Sequence, residues 1–530
     1  MKKLYYILFL SSILFSCKDQ GQKQGLDEQL LNDVKDIVIK QVPVKVDSLL
    51  LVKQKKEIIA LYSADKPETL WYDNTNRQQY INVIENNYKE GILQKKGLHI
   101  DSLTYYHKMY EELNPLQKAQ ADILFNTSFL KNVNNYYNGV VNPRKISKEW
   151  DLKPKEIDAS AYLLSALKNK TITQAFDSLR PTHQVYGSLK HKLEDLYKIQ
   201  EDTLQAITQD LVLNDTIEGI KTLKKHLNFI SRLSDSIAID DIYNEPLKSS
   251  IEKFQSDKKL TVTGLPSADL VKAVVNEESR IKEKLILNLE RWRWFPHDLG
   301  ENYILINIPD FSLVTVAKQD TIRSHKVIVG TTKRMTPILT SKLTVISINP
   351  TWTVPPTILK NDVTPKAIKD STYFNKRNFT IYERATGKEI SPENWNAEKY
   401  GSYRYVQKGG PGNTLGRIKF MFNNNHSVYL HDTPNRGYFN RTNRNMSSGC
   451  VRVQDPFSLA EYIFQVQNKD ISEEKIKEVL DSHETTNYGV SKTPIYIHQL
   501  YWTIQVDKHG KITEFKDVYN FDNDLYKRLK

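Results

Sequence analysis

Apolar residues recur at spacings of three and four along the first half of the chain. Leu189, Leu193 and Leu196 are one example, and the stretch 26–240 is rich in Leu, Lys and Glu but poor in glycine. Residues at this spacing share one face of an α-helix, so the pattern predicts a mostly helical region. A further helix is predicted over 277–294, where apolar residues keep the same period.

Between these two regions, residues 241–276 predict a small helical module. Leu247, Ile251 and Phe254 share one helical face, and a turn ending at Gly264 leads to a second helix that begins near Ser267. Serine is a common N-cap residue because its side-chain oxygen accepts a hydrogen bond from the first helical turn. The alternative is that this stretch is another helical hairpin of the preceding region.

From residue 303 onward the pattern changes to the alternation typical of β-strands. Strands are predicted at 303–308, 313–317, 324–329, 343–348, 417–422 and 428–431. The connection from 348 to 417 is far longer than an ordinary loop, which indicates an insertion at about 350–410 that contains a helix near 365–369. The predicted fold class is therefore α+β: a helical region, then a domain rich in mixed strands at 301–530.

A histidine ends the last of these predicted strands. Val428 and Leu430 alternate with Tyr429 and His431, so a strand here would bury the two apolar residues and present Tyr429 and His431 together on the opposite face. An imidazole in that position is suited to accept a proton from a nucleophile.

A cysteine opens a further predicted strand. Val451 and Val453 would point to one face, which leaves Cys450 and Arg452 on the other. A free thiol titrates at about 8.5 unless a positive neighbour lowers its pKa, and an imidazolium at His431 is the natural candidate. Arg452 is suited to hold a substrate carboxylate near the nucleophile.

The residues around the cysteine fit this role. Backbone N–H groups at Ser448, Gly449 and Cys450 are candidates to stabilise the oxyanion of a tetrahedral intermediate. Asp455 followed by Pro456 is typical of a helix N-terminus. The cysteine is thus predicted to lie between a strand and a helix.

These motifs resemble the L,D-transpeptidase catalytic family, often called YkuD-type, in which a strand histidine precedes a Ser-X-Gly-Cys segment. The family commonly has a second histidine where this chain has Ser448, which leaves His431 as the base candidate close to the motif. The chain is similar to the long, capped YcbB-like branch, whose His-Asp-Thr-Pro and Ser-Ser-Gly-Cys-Val-Arg segments correspond to residues 431–434 and 447–452.

The resemblance extends to the rest of the chain. Residues 136–143 with Trp150 resemble the scaffold domain of that branch, Phe254-Gln255 with Gly264 resemble a three-helix peptidoglycan-binding module, and residues 349–355 resemble the opening of a lid. It implies the following domains: scaffold 27–240, peptidoglycan-binding-like module 241–276, linking helix 277–300 and catalytic domain 301–530, with the lid at about 350–410. Trp352 would either line the substrate cleft or anchor the core of the lid.

The N-terminus resembles a bacterial lipoprotein signal. A basic start is followed by an apolar run too short to span a bilayer and by Cys17. The resemblance implies a signal peptide at 1–16, lipidation of Cys17 and a flexible tether at 17–26. Lys18 favours the outer membrane, so a periplasm-facing lipoprotein is expected. Because the chain has two cysteines, Cys450 would be the single free thiol.

Charge and composition exclude some other classes of protein. The net charge of +12 would permit nucleic acid as a partner, but export removes that interpretation. Five histidines show no metal-ligand spacing, and neither a metal nor another cofactor is expected: His99, His183, His297, His325 and His426.

The family resemblance implies that Cys450 attacks the third residue of a peptidoglycan tetrapeptide stem and releases the terminal D-alanine, with His431 as the base. An amine of a second stem would then take the acyl group. Tyr429 and Arg452 would orient His431 or bind substrate, or would only pack. Two alternatives use water, as an L,D-carboxypeptidase, or a protein lysine, as an anchoring enzyme, and a third is a catalytically silent wall-binding lipoprotein.

Overall fold

The computed structural model describes residues 70–93, 97–207, 211–469, 471 and 473–530. The predicted signal peptide, the tether and Cys17 lie outside the described residues. The described residues divide into two compact units. The first comprises 70–87, 97–136 and 156–179, and the second comprises the remainder.

The first unit is helical and has an aromatic core. Its helices are α1 (Asn74–Glu85), α2 (Ile100–Lys108), α3 (Pro115–Asn138), α4 (Ala159–Asn169) and α5 (Ile172–Ser178). Trp71 is fully buried and stacks on Phe125, with 4.9 Å between the ring centroids. Its indole Nε1 donates to Asn126 Oδ1 at 2.6 Å, so the buried polar edge of the ring is satisfied.

The second unit contains four helices that precede most of its strands in the chain. These are α6 (Gln184–Ile199), α7 (Ile220–Phe229), α8 (Glu245–Asp257) and α9 (Ala268–Trp294). Helix α9 runs for 27 residues and joins the two helices predicted at Ser267 and at 277–294 into one. Ser267 caps it through a hydrogen bond from Leu270 N–H to its Oγ at 3.3 Å. No helix in the described ranges is both long and apolar enough to cross a membrane.

A short motif of the sequence, Phe254-Gln255 with Gly264, has a structural explanation in the turn after α8. The amide of Gln255 is 1% exposed. Its Oε1 accepts from Thr263 N–H at 2.9 Å and Gly264 N–H at 3.0 Å, while its Nε2 donates to the Leu265 carbonyl at 3.1 Å. One buried side chain therefore satisfies the backbone of the whole turn.

The described chain contains seventeen strands, of which the first precedes helix α6 and the others come after helix α9. They are β1 (Trp150–Asp151), β2 (Asn302–Asn307), β3 (Ser312–Ala317), β4 (Asp320–Gly330), β5 (Ile338–Ile348), β6 (Trp352–Thr353), β7 (Phe379–Glu383), β8 (Glu389–Ile390), β9 (Tyr403–Gln407), β10 (Ile418–Phe422), β11 (Leu430–His431), β12 (Asn445–Ser447), β13 (Val451–Val453), β14 (Thr486–Gly489), β15 (Tyr496–Leu500), β16 (Ile504–Val506) and β17 (Ile512–Glu514). The predicted α+β fold class is confirmed.

The main sheet closes on itself. Its order is β5-β10-β11-β13-β4-β3-β2-β15, and β15 also pairs with β5. Strand β5 is long enough to do both, because its first half pairs with β15 and its second half with β10. Most neighbours are antiparallel, but β11 with β13 and β2 with β15 are parallel pairs. The apolar residues that alternate along these strands fill one continuous core.

The insertion between β5 and β10 forms a separate small sheet with its own core. We call residues 352–407 the lid. Its strands are ordered β6-β9-β7-β8, and its helical segments are α10 (Pro356–Ile358), a π-helical turn (Leu359–Val363), α11 (Thr364–Lys369) and α12 (Tyr373–Lys376). Helix α11 lies where a helix was predicted. The lid core includes Trp352, Phe379 and Tyr405.

Helices follow the nucleophile segment and close the chain: α13 (Pro456–Val466), α14 (Glu473–Ser482) and α15 (Asp522–Leu529). Asp455 Oδ1 accepts from Ser458 N–H at 3.4 Å and so caps α13, as predicted. Strands β16 and β17 form an antiparallel hairpin near the C-terminus.

Strand β11 is shorter than the prediction of 428–431. The side chain of Asn424 accepts from the N–H groups of His426 at 3.0 Å and Val428 at 3.1 Å, and it donates to the Val428 carbonyl at 2.8 Å. Ser427 within this turn has a φ of 55°. Local side-chain hydrogen bonds thus hold the backbone in a turn and delay the strand to Leu430.

Candidate active site

One row of residues crosses five strands of the main sheet and carries the predicted base. In register, Ser347 of β5 faces Lys419 of β10, Lys419 faces His431 of β11, and His431 faces Arg452 of β13. Arg452 in turn faces Ile328 of β4. Paired residues point to the same side of a sheet, so these side chains share one face. We call this set the His431 row.

Cys450 lies one residue before β13, next to Tyr429. The N–H of Val451 donates to the Tyr429 carbonyl at 3.1 Å, which fixes the two segments side by side. The backbone and the hydroxyl of Tyr429 both donate hydrogen bonds to the Cys450 sulfur and favour its thiolate. Cys450 is half-buried. The charges of Lys419 and Arg452 both act on this thiol, so Cys450 lies beside the His431 row.

His431 is 4% exposed, and its ring orientation is fixed by the backbone. Its Nδ1 lies 2.5 Å from the Asp432 carbonyl oxygen. Because a carbonyl only accepts, Nδ1 carries the proton and Nε2 has the lone pair. Hydrogen bonds of the ring to the backbone of Asp432 and of Leu415 favour its protonated form. Burial, and next the charge of Arg452, lower the pKa of His431 to about 3. The imidazole is therefore neutral at physiological pH and able to accept a proton.

This differs from the expectation that an imidazolium lowers the pKa of the thiol. Burial raises the pKa of Cys450 above its usual value, and hydrogen bonds from Tyr429 with the charges of Lys419 and Arg452 oppose that rise. The positive neighbours of the sulfur are therefore a lysine and an arginine. At rest the cysteine and His431 form a neutral pair.

Lys419 also belongs to the His431 row, and the sequence analysis did not single it out. Its Nζ lies 3.9 Å from the centroid of the Tyr429 ring, which is a close cation–π contact. The signal for it was present, since buried Ile418, Phe420 and Phe422 alternate with Lys419 along a strand that was predicted. That alternation assigns Lys419 to the face opposite the core.

The segment before Cys450 is held tightly. Gly449 has a φ of 110°, and its carbonyl accepts from Thr336 Oγ1 at 2.8 Å. Its N–H donates to Ser447 Oγ at 3.1 Å, and Ser447 Oγ donates to the Cys450 carbonyl at 2.6 Å. Because the Gly449 N–H already has a partner, the N–H groups of Ser448 and Cys450 are the better candidates for an oxyanion site.

Three protein-family models match parts of the chain, and one of them covers the segments that hold the His431 row and Cys450. The family model "L,D-transpeptidase catalytic domain" matches residues 301–497, which include the strands of the His431 row and Cys450. Residues 301–497 are an L,D-transpeptidase catalytic domain. The "Scaffold domain" matches residues 56–193, and the "Putative peptidoglycan binding domain" matches residues 216–274.

A curated relative carries the same name as this domain. The "Putative L,D-transpeptidase" of Haemophilus influenzae is 35% identical over 254 residues, which cover 47% of this chain and 50% of that protein. The chain thus spans about half the length of this relative.

Two solved structures align with the chain at low similarity. The L,D-transpeptidase of Xylanimonas cellulosilytica is 11% identical, with 56% of this chain and 99% of that one covered and a TM-score of 0.16. A fused Zn-dependent amidase/peptidase/peptidoglycan-binding domain-containing protein of Clostridium acetobutylicum is 10% identical, with coverages of 54% and 98% and a TM-score of 0.14. At these TM-scores neither alignment bears on the fold.

The segment before Cys450 in the L,D-transpeptidase domain also contacts the lid. Arg334 Nη1 donates to Ser448 Oγ at 2.9 Å and to Asp362 Oδ2, in the π-helical turn of the lid, at 2.6 Å. One guanidinium therefore joins the residue two positions before Cys450 to the lid. Neither Arg334 nor Asp362 was singled out by the sequence analysis.

Trp352 belongs to the core of the lid and also reaches the active face. It is 7% exposed and packs near Phe379, with 6.2 Å between the ring centroids. It also hydrogen-bonds to the Tyr429 hydroxyl, which in turn contacts Cys450. Lining a cleft and anchoring the core of the lid are thus compatible roles for Trp352, because it packs in the lid and also contacts Tyr429 beside Cys450.

The described ranges contain no group of three or more His, Cys, Asp or Glu side chains placed to hold a metal ion. Two histidines in or next to the L,D-transpeptidase domain form hydrogen bonds with the backbone or with a side-chain hydroxyl. His498 lies 2.9 Å from the Leu299 carbonyl and 3.1 Å from Thr340 Oγ1, and His325 lies 2.9 Å from the Gln454 carbonyl.

Proposed function

We propose that this protein is a peptidoglycan L,D-transpeptidase in which Cys450 is the nucleophile and His431 is the general base. One observation carries the proposal. Cys450 and His431 lie on adjacent parallel segments inside the matched catalytic domain, and the hydrogen bond from Nδ1 of His431 to the Asp432 carbonyl assigns Nε2 as the nitrogen that accepts a proton.

The first half-reaction follows from this geometry. Nε2 of His431 takes the thiol proton, and the sulfur attacks the carbonyl carbon of the third residue of a tetrapeptide stem. The N–H groups of Ser448 and Cys450 are the proposed donors to the oxyanion. When the intermediate collapses, His431 returns the proton to the leaving nitrogen. Free D-alanine departs and a thioester remains on Cys450.

In the second half-reaction an amine of another stem attacks the thioester and His431 removes the proton of the amine. The C–S bond breaks, and His431 returns the proton to the sulfur, so that the Cys450 thiol is restored. The product is a cross-link between two stems. Arg452 and Tyr429 are proposed to bind the donor stem, with Trp352 placing Tyr429. Water as acceptor would make the protein an L,D-carboxypeptidase, and a protein lysine would make it an anchoring enzyme.

The remaining domains fit a wall-bound enzyme. The peptidoglycan-binding and scaffold matches support peptidoglycan as the partner. The proposal therefore places the protein on the periplasmic side of the cell envelope. Lipid anchoring through Cys17, with the outer membrane as its location, stays part of the proposal.

A direct test incubates the full chain with disaccharide-tetrapeptide and follows D-alanine and muropeptides by mass spectrometry. We expect D-alanine release and cross-linked dimers, with both abolished in Cys450→Ala and reduced at least about 100-fold in His431→Gln. His509→Gln, in the exposed turn between β16 and β17, is the matched histidine control.

The products separate the alternatives. Tripeptides without dimers would identify a carboxypeptidase, and tripeptides linked to protein would identify an anchoring enzyme. If the wild type and Cys450→Ala both leave tetrapeptides unchanged, the chain is a silent wall-binding protein and the proposal is wrong.

A further inference from the structure

Two cations lie on the face of the sheet that carries the His431 row, and neither has an acidic partner among the described residues. Lys419 and Arg452 flank His431 on either side in the His431 row, and both lower the pKa of Cys450. No carboxylate of the described residues forms an ion pair with either one. Both side chains are half-buried, and the Nε of Arg452 is buried without a hydrogen-bond partner in the described structure.

Such an arrangement is costly unless an anion completes it. Burial lowers the pKa of both Lys419 and Arg452, because removing a cation from water is unfavourable. Buried charges in proteins are normally paired. Two other half-buried cations of the same domain are paired with a carboxylate: Arg334 with Asp362 and Arg323 with Glu461.

We propose that Lys419 and Arg452 form a carboxylate-binding site that flanks the Cys450 thiol, with Lys419 as the member that no motif of the sequence contains. The site deepens the proposed function and rests on it for its natural ligand, a carboxylate of the stem that donates the acyl group. Arg452 offers a planar fork of N–H donors, and Lys419 adds a compact charge held over the Tyr429 ring.

The other titratable groups around the thiol do not neutralise the positive charges of Lys419 and Arg452. His431 on β11 is neutral, and burial raises the pKa of the Tyr429 hydroxyl far above its usual value, so it stays protonated. Tyr438 faces Arg452. Ser347 on β5 and Ile328 on β4 carry no charge. The charges that face Cys450 in the described structure are therefore both positive.

Two alkylating reagents test the site without any turnover. Iodoacetate carries a carboxylate, and iodoacetamide is its neutral analogue. With either, the Cys450 thiolate displaces iodide, a C–S bond replaces the C–I bond, and peptide mass spectrometry isolates the modification at Cys450. We expect the rate ratio of iodoacetate to iodoacetamide to be about fivefold higher in the folded full chain than at Cys450 of the unfolded chain.

Substitutions at Lys419 separate its charge from its packing. Lys419→Met keeps the aliphatic stem and should lower the ratio at least about threefold, while Lys419→Arg should retain it. The midpoint of the pH profile for iodoacetamide should move up by about one pH unit in Lys419→Met. Lys342→Met is the matched control, since Lys342 lies on β5 with its Nζ 5.1 Å from the Tyr496 ring centroid.

Salt gives a second test that needs no variant. Raising the salt concentration to about 1 M shortens the screening length to about 3 Å and should bring the wild-type ratio toward that of the unfolded chain. The inference is wrong if the ratio is insensitive to salt, or if folded Lys419→Met matches the wild type. If these effects appear but no D-alanine is released from tetrapeptides, the carboxylate site stands and the proposed reaction fails.

Discussion

Nδ1 of His431 lies 2.5 Å from the backbone carbonyl oxygen of Asp432. The carbonyl, and not the Asp432 carboxylate, therefore sets the tautomer of the base. That carboxylate has other partners, since Oδ2 accepts from Arg417 N–H at 2.9 Å and Oδ1 from Arg436 Nη2 at 2.9 Å. The site is thus a cysteine-histidine pair oriented by the backbone, without a carboxylate as third member.

Asp432→Asn tests this directly. An asparagine oxygen can still accept from Arg417 N–H, and the Asp432 carbonyl is unchanged, so we expect the rate of D-alanine release to fall by no more than about fivefold. In a triad that depends on the carboxylate, the same change costs about 10⁴-fold. A loss greater than 100-fold in a variant with unchanged thermal stability would show that the carboxylate acts on His431.

The buried neutral His431 makes the protein sensitive to acid. In the unfolded chain a histidine binds a proton below about 6.5, but in the folded protein the pKa of His431 is about 3. The unfolded state therefore binds more protons between pH 6.5 and 3. His431 should reduce the free energy of unfolding by about 1.4 kcal/mol for each pH unit the solution falls within that window.

Urea unfolding of the wild type and His431→Gln at several pH values from 7 to 4 checks this. Three other histidines have a pKa near 4, namely His183, His297 and His498, but they are common to both proteins. The difference in the free energy of unfolding between the variants should therefore change with pH. Parallel curves would mean that His431 has the same pKa in the folded and the unfolded protein.

The Arg334 bridge predicts that a lid residue affects acylation. Asp362→Ala removes the lid partner of Arg334 while its contact with Ser448 remains. Because the ion pair is partly exposed, we expect a cost below about 1 kcal/mol in stability, but a two- to tenfold change in the rate of D-alanine release. Asp370→Ala is the control, as it removes a lid aspartate that pairs with Lys376 at 3.4 Å. Equal rates for both variants would contradict the bridge.

Gly449 is required by its backbone conformation. Its φ of 110° is rarely adopted by residues with a side chain, and an added Cβ would lie 3.3 Å from the Met335 carbonyl oxygen. Gly449→Ala should destabilise the protein by about 1–3 kcal/mol and move Ser448 and Cys450, with at least a tenfold loss of D-alanine release. Gly437→Ala, in open space within the same domain, should leave both unchanged. Thermal melts and the release assay measure the two effects.

The sequence predicted those features that depend on local periodicity. The alternation at Tyr429 and His431 placed both on one face, and the proline after Asp455 marked a helix start. It did not reveal contacts between distant segments. Arg334 and Ser448 are 114 positions apart, and nothing in either neighbourhood specifies the other. Lys419 lay within a predicted strand, but a lysine opposite a core face is usually solvated, so only the pairing with His431 showed its position.

The pairing of the sheet also limits how a peptide can bind. Each strand of the His431 row has a hydrogen-bonded neighbour on both sides, including β14 beyond β5 and β3 beyond β4. No backbone edge of the row is therefore open, among the described residues, to a peptide that would dock by β-augmentation. Under the proposed function, a stem peptide would be recognised by side chains that project from this face, among them Lys419 and Arg452, and by the lid.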